Sequence, residues 1–499
     1  MNKRTDNPPV SGLLPATETP QGSGQAPTLR LNLLPAQRFD AAGRAHVDLR
    51  AVFALALPLV ANSAVQMLLN LTDIWFIGHI STSALAGVGA VQWLVLVVVF
   101  ILGGIGLAVQ TVVAQEYGAR RFVRASQALW IALWGILFVT PLFVLAGLGG
   151  HWMLAPFGFD PKIETLAADF WLPRVAGSCF GAASWAVMGF FNGIGRPRMT
   201  VLITVVVALI NALLNYLFIF KWGWGVAGSG WATTVAQALA LGLGIALMFS
   251  REYRRTYKFR LTWRPRAHRL WRQFRLGFPM GLLYAADLMG VAVFQMMQVR
   301  LSTADGAATQ VVMILTSVAY LPGFGIALAG TTLVGQSIGA GDRNWAMRVG
   351  TRVTLFTALY MGAAGLLLAL TGEWVLPWFA SAHDADAVAM LTVGTNILWL
   401  AAIYQFFDGM NLGSGMCLRG AGDAIVPAAL VLVLSWLVFV PLAHALTFAP
   451  GQGWFDLSFL PQLGWGAVGG WTALLIYMVL LGMTLFMRWR SGAWQRIRI

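Results

Sequence analysis

Apolar residues in this chain run in long blocks, separated by short segments rich in charge, glycine or proline. Charge-free stretches fall at 175–195, 201–220, 226–250, 353–372, 424–455 and 457–487. Each reaches the roughly 20 residues that an α-helix needs to cross a bilayer's hydrocarbon. Strands of an outer-membrane barrel would instead alternate over about 10 residues. Breaks in charge, glycine/proline clusters and loop residues predict twelve helices, at 51–78, 84–115, 124–150, 164–191, 198–220, 227–250, 274–301, 307–338, 344–371, 387–416, 424–447 and 466–488. The expected class is an all-α integral membrane protein.

The pattern is used twice. Displaced by 221 residues, Pro58 falls on Pro279, and Gly104-Ile105-Gly106-Leu107-Ala108 on Gly325-Ile326-Ala327-Leu328-Ala329. Thr111, Gln115 and Gly118 then meet Thr332, Gln336 and Gly339. The shift superposes helix 1 on helix 7 and helix 2 on helix 8. A period of six spans gives both halves the same orientation, related by an axis along the membrane normal. The predicted organisation is a disordered cytoplasmic tail (1–50), a six-helix bundle (51–250), a cytoplasmic linker (251–273), a second six-helix bundle (274–488) and a short cytoplasmic tail (489–499).

Composition fits a lipid solvent: 58 % of residues are hydrophobic and 10 % charged, against about 25 % charged in soluble domains. With the N-terminus inside, 29 of the 33 Lys and Arg fall on the inner side; Lys162, Arg174, Lys221 and Arg300 do not. This asymmetry follows the positive-inside rule and predicts a multi-pass protein of a bacterial inner membrane with both termini cytoplasmic. The net charge of +14 then belongs to lipid-facing loops, and nucleic acid is not an expected partner. Cys179 and Cys417 lie inside predicted spans, so neither a disulfide framework nor a cysteine metal site is expected. No P-loop and no histidine ligand motif appears. Gly103-Gly104-Ile105-Gly106 reads as close helix packing, because no strand precedes it. No cofactor and no enzymatic role are expected, and the chain is expected to act as a monomer.

Ionisable groups inside spans are costly and therefore mark function. Three of the 19 acids qualify: Asp73, Asp287 and Asp408. Each belongs to a polar stripe at helical spacing. The stripes are Asn62, Gln66, Asn70 and Asp73 on helix 1; Tyr284, Asp287, Gln295 and Gln298 on helix 7; and Asn396, Tyr404, Asp408 and Asn411 on helix 10. Such faces suit a water-filled cavity; the alternative is that protonated acids join neighbouring helices. Asn211 and Asn215 on helix 5, with Thr233 and Gln237 on helix 6, provide amides and hydroxyls for a first-half site with Asp73, or for contacts between helices. Asp287 and Asp408 form the candidate cation pair and are candidate Na⁺ ligands. Aromatic and Met residues near them, including Met289, Phe294, Met296, Trp399, Phe406 and Phe407, provide a surface for flat cations or simply pack.

These residues resemble the multidrug and toxic compound extrusion (MATE) family over about 50–488, nearest its NorM-type branch. The resemblance rests on Leu57-Pro58 opening helix 1 with Asp73 and Gly78 near its end, on Val334-Gly335-Gln336-Ser337-Ile338-Gly339-Ala340-Gly341 ending helix 8, and on Leu418-Arg419-Gly420-Ala421-Gly422-Asp423 after helix 10. After helix 4 the counterpart of that last motif reads Phe191-Asn192-Gly193, and Asn215 stands where some relatives carry an acid. The resemblance implies a V-shaped pair of six-helix bundles and a Na⁺- or H⁺-driven antiporter that exports cationic amphiphiles, with Asp287, Asp408 and Asp73 as coupling acids and a lean toward Na⁺. A flippase for lipid or polysaccharide precursors, from the same superfamily, is the alternative. An intramembrane transferase is more remote, since no nucleophile or converging His/acid pair appears.

Overall fold

A computed structural model describes residues 34–41, 43–155, 161–379, 387–453 and 462–497. Twelve spans follow in order. The first half holds α1 (Leu49–Gly78), α2 (Thr82–Leu107 continued by Val109–Gly118), α3 (Phe122–Leu148), α4 (Pro161–Ala176 continued by Ser178–Gly193), α5 (Pro197–Lys221) and α6 (Gly225–Met248). The second holds α7 (Ala267–Leu301), α8 (Thr303–Gly339), α9 (Arg343–Val375), α10 (Ala387–Ala421), α11 (Ile425–Thr447) and α12 (Gly466–Arg490). Eleven are continuous enough and apolar enough to cross a membrane by themselves. α4 is broken at Gly177, where a side chain would strike Thr234 of α6. The Thr234 hydroxyl instead donates to the Pro173 carbonyl at 2.7 Å, so the break is held from outside. α5 and α11 each contain one π-helical stretch, Tyr216–Lys221 and Leu434–Phe439.

The halves meet toward the end at which the basic loops cluster. Gly104 faces the backbone of Gly277, and Gly281 faces that of Phe100, so α2 and α7 touch main chain to main chain. This is the close packing that small residues permit. Beyond it lies a latch that follows the internal repeat. Thr111 Oγ1 donates to the carbonyl of Arg419 (3.0 Å) and Gln115 Nε2 to that of Gly420 (3.0 Å). Reciprocally, Thr332 Oγ1 donates to Asn192 (3.0 Å) and Gln336 Nε2 to Gly193 (2.9 Å). Gly118 lies against the carbonyl of Gln336 and Gly339 against that of Gln115, where any Cβ would collide. Each half's second helix thus grips the end of the other half's fourth. Arg419, buried, adds bonds from its guanidinium to the Leu107 carbonyl at the break in α2 and to the Tyr284 hydroxyl (3.4 Å). Phe100 stacks on Tyr284 at 5.2 Å and on Trp185 at 5.5 Å, at the inner limit of this seal.

The expected tails and linker are corrected where they are described. Residues 1–33 and 42 lie outside the described residues, but the described remainder of the predicted tail is folded. Gln37–Phe39 (β1) and Ala45–Val47 (β2) pair antiparallel. Leu34, Ala36, Ala45 and Val47 pack on Val52, Trp345 and Val349. The Trp345 indole donates to the Pro35 carbonyl at 2.9 Å. Low hydrophobicity misled here, because a short hairpin needs one apolar face only, and α9 supplies its partner. The linker is partly helical (Arg251–Tyr257, Phe259–Thr262), and α7 begins within it at Ala267. In the C-terminal tail, Trp494 stacks on Trp489 at 4.6 Å.

Candidate functional site

Asp73 lies near the end of α1 remote from the latch, and its partners come from its own half. Asn215 Nδ2 donates to Asp73 Oδ1 at 2.7 Å and to Asn211 Oδ1 at 3.0 Å. Asn211 Nδ2 donates to Thr233 Oγ1 at 3.2 Å. Asn211, Asn215 and Thr233 are all buried. The π-helical stretch of α5 begins directly after Asn215, a feature frequent at functional sites. Arg174 of α4 also acts electrostatically on Asp73, although the two are not in ion-pair contact. The hydrogen bond from Thr234 to Pro173 places that turn of α4 beside the Thr233 turn of α6.

The second half is built differently. Asp287 on α7 accepts from the Tyr477 hydroxyl of α12 at 2.9 Å. Asp408 on α10 is 6 % exposed and accepts from Asn411 Nδ2 at 3.3 Å. The two carboxyls act on one another. Tyr320 of α8 lies within electrostatic reach of both, as well as of Tyr284 and Tyr404. No basic side chain is among the groups that act on either acid. Tyr284 is one turn nearer the seal, where its hydroxyl meets Arg419. The pair therefore sits immediately beyond the contact between the halves. Among the described residues, no cluster of three or more His, Cys, Asp or Glu is arranged to hold a metal, and Cys179 and Cys417 are buried free thiols.

Other candidates fall elsewhere. Gln66 and Asn70 are exposed and make no side-chain hydrogen bond among the described residues, and Asn396 is likewise exposed. Asn62 is tied to Thr204 of α5, whose hydroxyl donates to its Oδ1 at 2.6 Å. Gln295 is half-buried, whereas Gln298 is fully buried against Gly470. Phe294 is core, packed on Phe439 and Trp471, while Met289, Met296 and Trp399 are exposed. Sequence reasoning missed Arg174, Tyr320 and Tyr477. Arg174 carried a signal, being one of the few basic residues off the inner side. The tyrosines carried a weaker one: four of only nine in the chain (Tyr284, Tyr320, Tyr404, Tyr477) lie around this acid pair.

Two repeated bundles, an internal polar seal and intramembrane acids beyond it are the architecture of a membrane transporter. A sequence model of the MatE family matches residues 58–217 and 279–444, so the chain belongs to the MatE family. Similar curated proteins include the "Probable multidrug resistance protein NorM" of Pseudomonas putida, 30 % identical over 461 residues and covering 89 % of this chain and 95 % of that protein. Its namesake in Agrobacterium fabrum is 27 % identical over 423 residues, covering 81 % and 89 %. Among solved structures, an outward-facing multidrug resistance MATE family transporter superposes with a TM-score of 0.77 at 17 % identity, covering 89 % of this chain and 96 % of that one. A MOP superfamily transporter from Pyrococcus furiosus gives 0.76 at 18 %, with the same coverage. At those identities the structural likeness speaks for the fold.

Proposed function

We propose that this protein is an antiporter of a bacterial inner membrane that exports cationic amphiphilic compounds in exchange for Na⁺ or H⁺, with both termini cytoplasmic. The carrying observation is the pair Asp287 and Asp408. Two carboxylates in low-dielectric surroundings, amid phenols and with no basic side chain acting on either among the described residues, repel one another until one positive charge arrives. A proton, a Na⁺ ion or an organic cation each provides it, so these ligands exclude one another. Exchange then follows: the incoming ion displaces the outgoing cation, and each favours a different arrangement of the halves about the latch. The names of the NorM relatives support drugs as cargo. An acidic pair suits cationic cargo and does not suit the pyrophosphate of a lipid-linked precursor.

The test is efflux of a fluorescent organic cation from proteoliposomes under separately imposed Na⁺ and H⁺ gradients. Export driven by one of them, and lost on collapsing it, is the expected result. Export indifferent to both gradients refutes the exchange.

A further inference from the structure

We propose that the basic end of the first half carries a built site for the phosphate of an anionic phospholipid. The segment that forms it is held in a defined shape. Ser126, Trp130 and Trp134, one turn apart along α3, donate to three successive points of the linker: the carbonyls of Tyr257 (2.7 Å), Phe259 (3.1 Å) and Trp263 (2.6 Å). The rings of Tyr257 and Phe259 pack edge-on against Phe190 of α4. So anchored, the chain from Arg260 to Arg266 closes over Gln127 to leave a cavity of about 480 Å³.

Arg260, Arg264 and Arg266 line that cavity. Among the described residues none of them has an acid at ion-pair distance. The neighbouring Arg269 donates to Gln127 and stands among Arg124, Arg266 and Arg272, with Glu116 the one acid acting on it. Gln273, 5 % exposed, lines the adjoining space with Glu116, Arg124, Arg269 and Arg272, and its Nε2, like the Glu116 Oε2, has no hydrogen-bond partner among the described residues. So many guanidiniums with one carboxylate lack charge balance, which an oxyanion restores with charge-assisted bonds.

The surroundings point to a lipid rather than to a free anion. Leu261 (77 % exposed), Trp263 (49 %) and Trp271 (61 %) present apolar surface beside the arginines. Trp134, which holds Trp263, is ten residues beyond Arg124 on α3, about 15 Å at the rise of a helix. Trp263 therefore reaches further into the span than the Arg124–Arg269 cluster. The exposed leucine and tryptophan, interleaved in the chain with Arg260 and Arg264, adjoin the guanidiniums as acyl chains adjoin a headgroup.

The test uses the full-length transporter in vesicles of phosphatidylcholine containing a minority of phosphatidylglycerol, with bound lipid read by native mass spectrometry. Wild type is expected to retain phosphatidylglycerol in preference to phosphatidylcholine. The variant Arg260→Gln/Arg264→Gln/Arg266→Gln should lose about a hundredfold in apparent affinity, at roughly a kcal/mol for each charge removed. Lysine at the same three positions should preserve retention, which separates lost charge from lost fold. Neutralising Arg343, Arg348 and Arg352, equally exposed at the same end, should leave retention unchanged. Equal retention by the glutamine variant, equal loss in that control, or displacement of the lipid by inorganic phosphate would each overturn the assignment.

Discussion

In the first half, Asp73 accepts from Asn215 and lies within electrostatic reach of Arg174; in the second, Asp287 and Asp408 lie within reach of one another amid phenols. The backbones repeat, and so do the four latch bonds from Thr111, Gln115, Thr332 and Gln336. What diverges is the countercharge. The first half brings its own cation on α4, within the same bundle. In the second, no basic side chain is among the groups that act on either acid. A duplicated fold thus keeps the contacts that join its halves and varies the charges in its interior, because the latch must close symmetrically whereas the two interiors need not be alike.

The sharpest way to break that comparison is to exchange acid for amide in each half. Asp408→Asn or Asp287→Asn should reduce coupled efflux to background, measured in the proteoliposome assay, while Asp73→Asn should slow it severalfold and leave ion dependence in place. Equal and complete loss from both halves would make the first an ion site as well.

Next in size is the latch. Gln115→Ala and Gln336→Ala each leave one buried carbonyl without its donor, about 1–3 kcal/mol. Both should shift the population away from the state closed at the basic end, read by spin-label distances across the two halves. Because the bonds are reciprocal, the two shifts should match; a marked difference would show that the halves do not share the seal equally.

A smaller effect tests the internal countercharge. Arg174→Gln should destabilise the protein in a thermal melt, and the double variant with Asp73→Asn should recover part of the loss. A coupling of about 1 kcal/mol is expected. Additive losses would mean that Arg174 serves packing alone. Smallest is Tyr477→Phe, which removes one donor from Asp287. Affinity for an organic cation should change severalfold, with folding intact, in a binding titration. No change would place Tyr477 outside the site.

Much of this molecule was readable from one dimension. Residue spacing located the spans, the 221-residue period paired the halves, and the cost of charge in lipid singled out Asp73, Asp287 and Asp408. The stripe logic then overreached: Gln66 and Asn70 share a helical face with Asp73 yet make no side-chain hydrogen bond among the described residues, while Tyr477, 190 residues from Asp287, holds it. The tail failed for the opposite reason, since its hairpin finds its apolar partner in Trp345 and its neighbours on α9.

Hydrophobic run length, repeat period and buried charge are properties of single segments in a lipid solvent, and the sequence determines them without reference to any neighbour. Which acid meets a guanidinium and which meets a phenol depends on how each helix is rotated and how deeply it is set against others far away in the chain. Spacing along one helix constrains neither, so the tertiary structure alone decided the partners of the acids, the targets of the latch and the anchoring of the basic linker against α3.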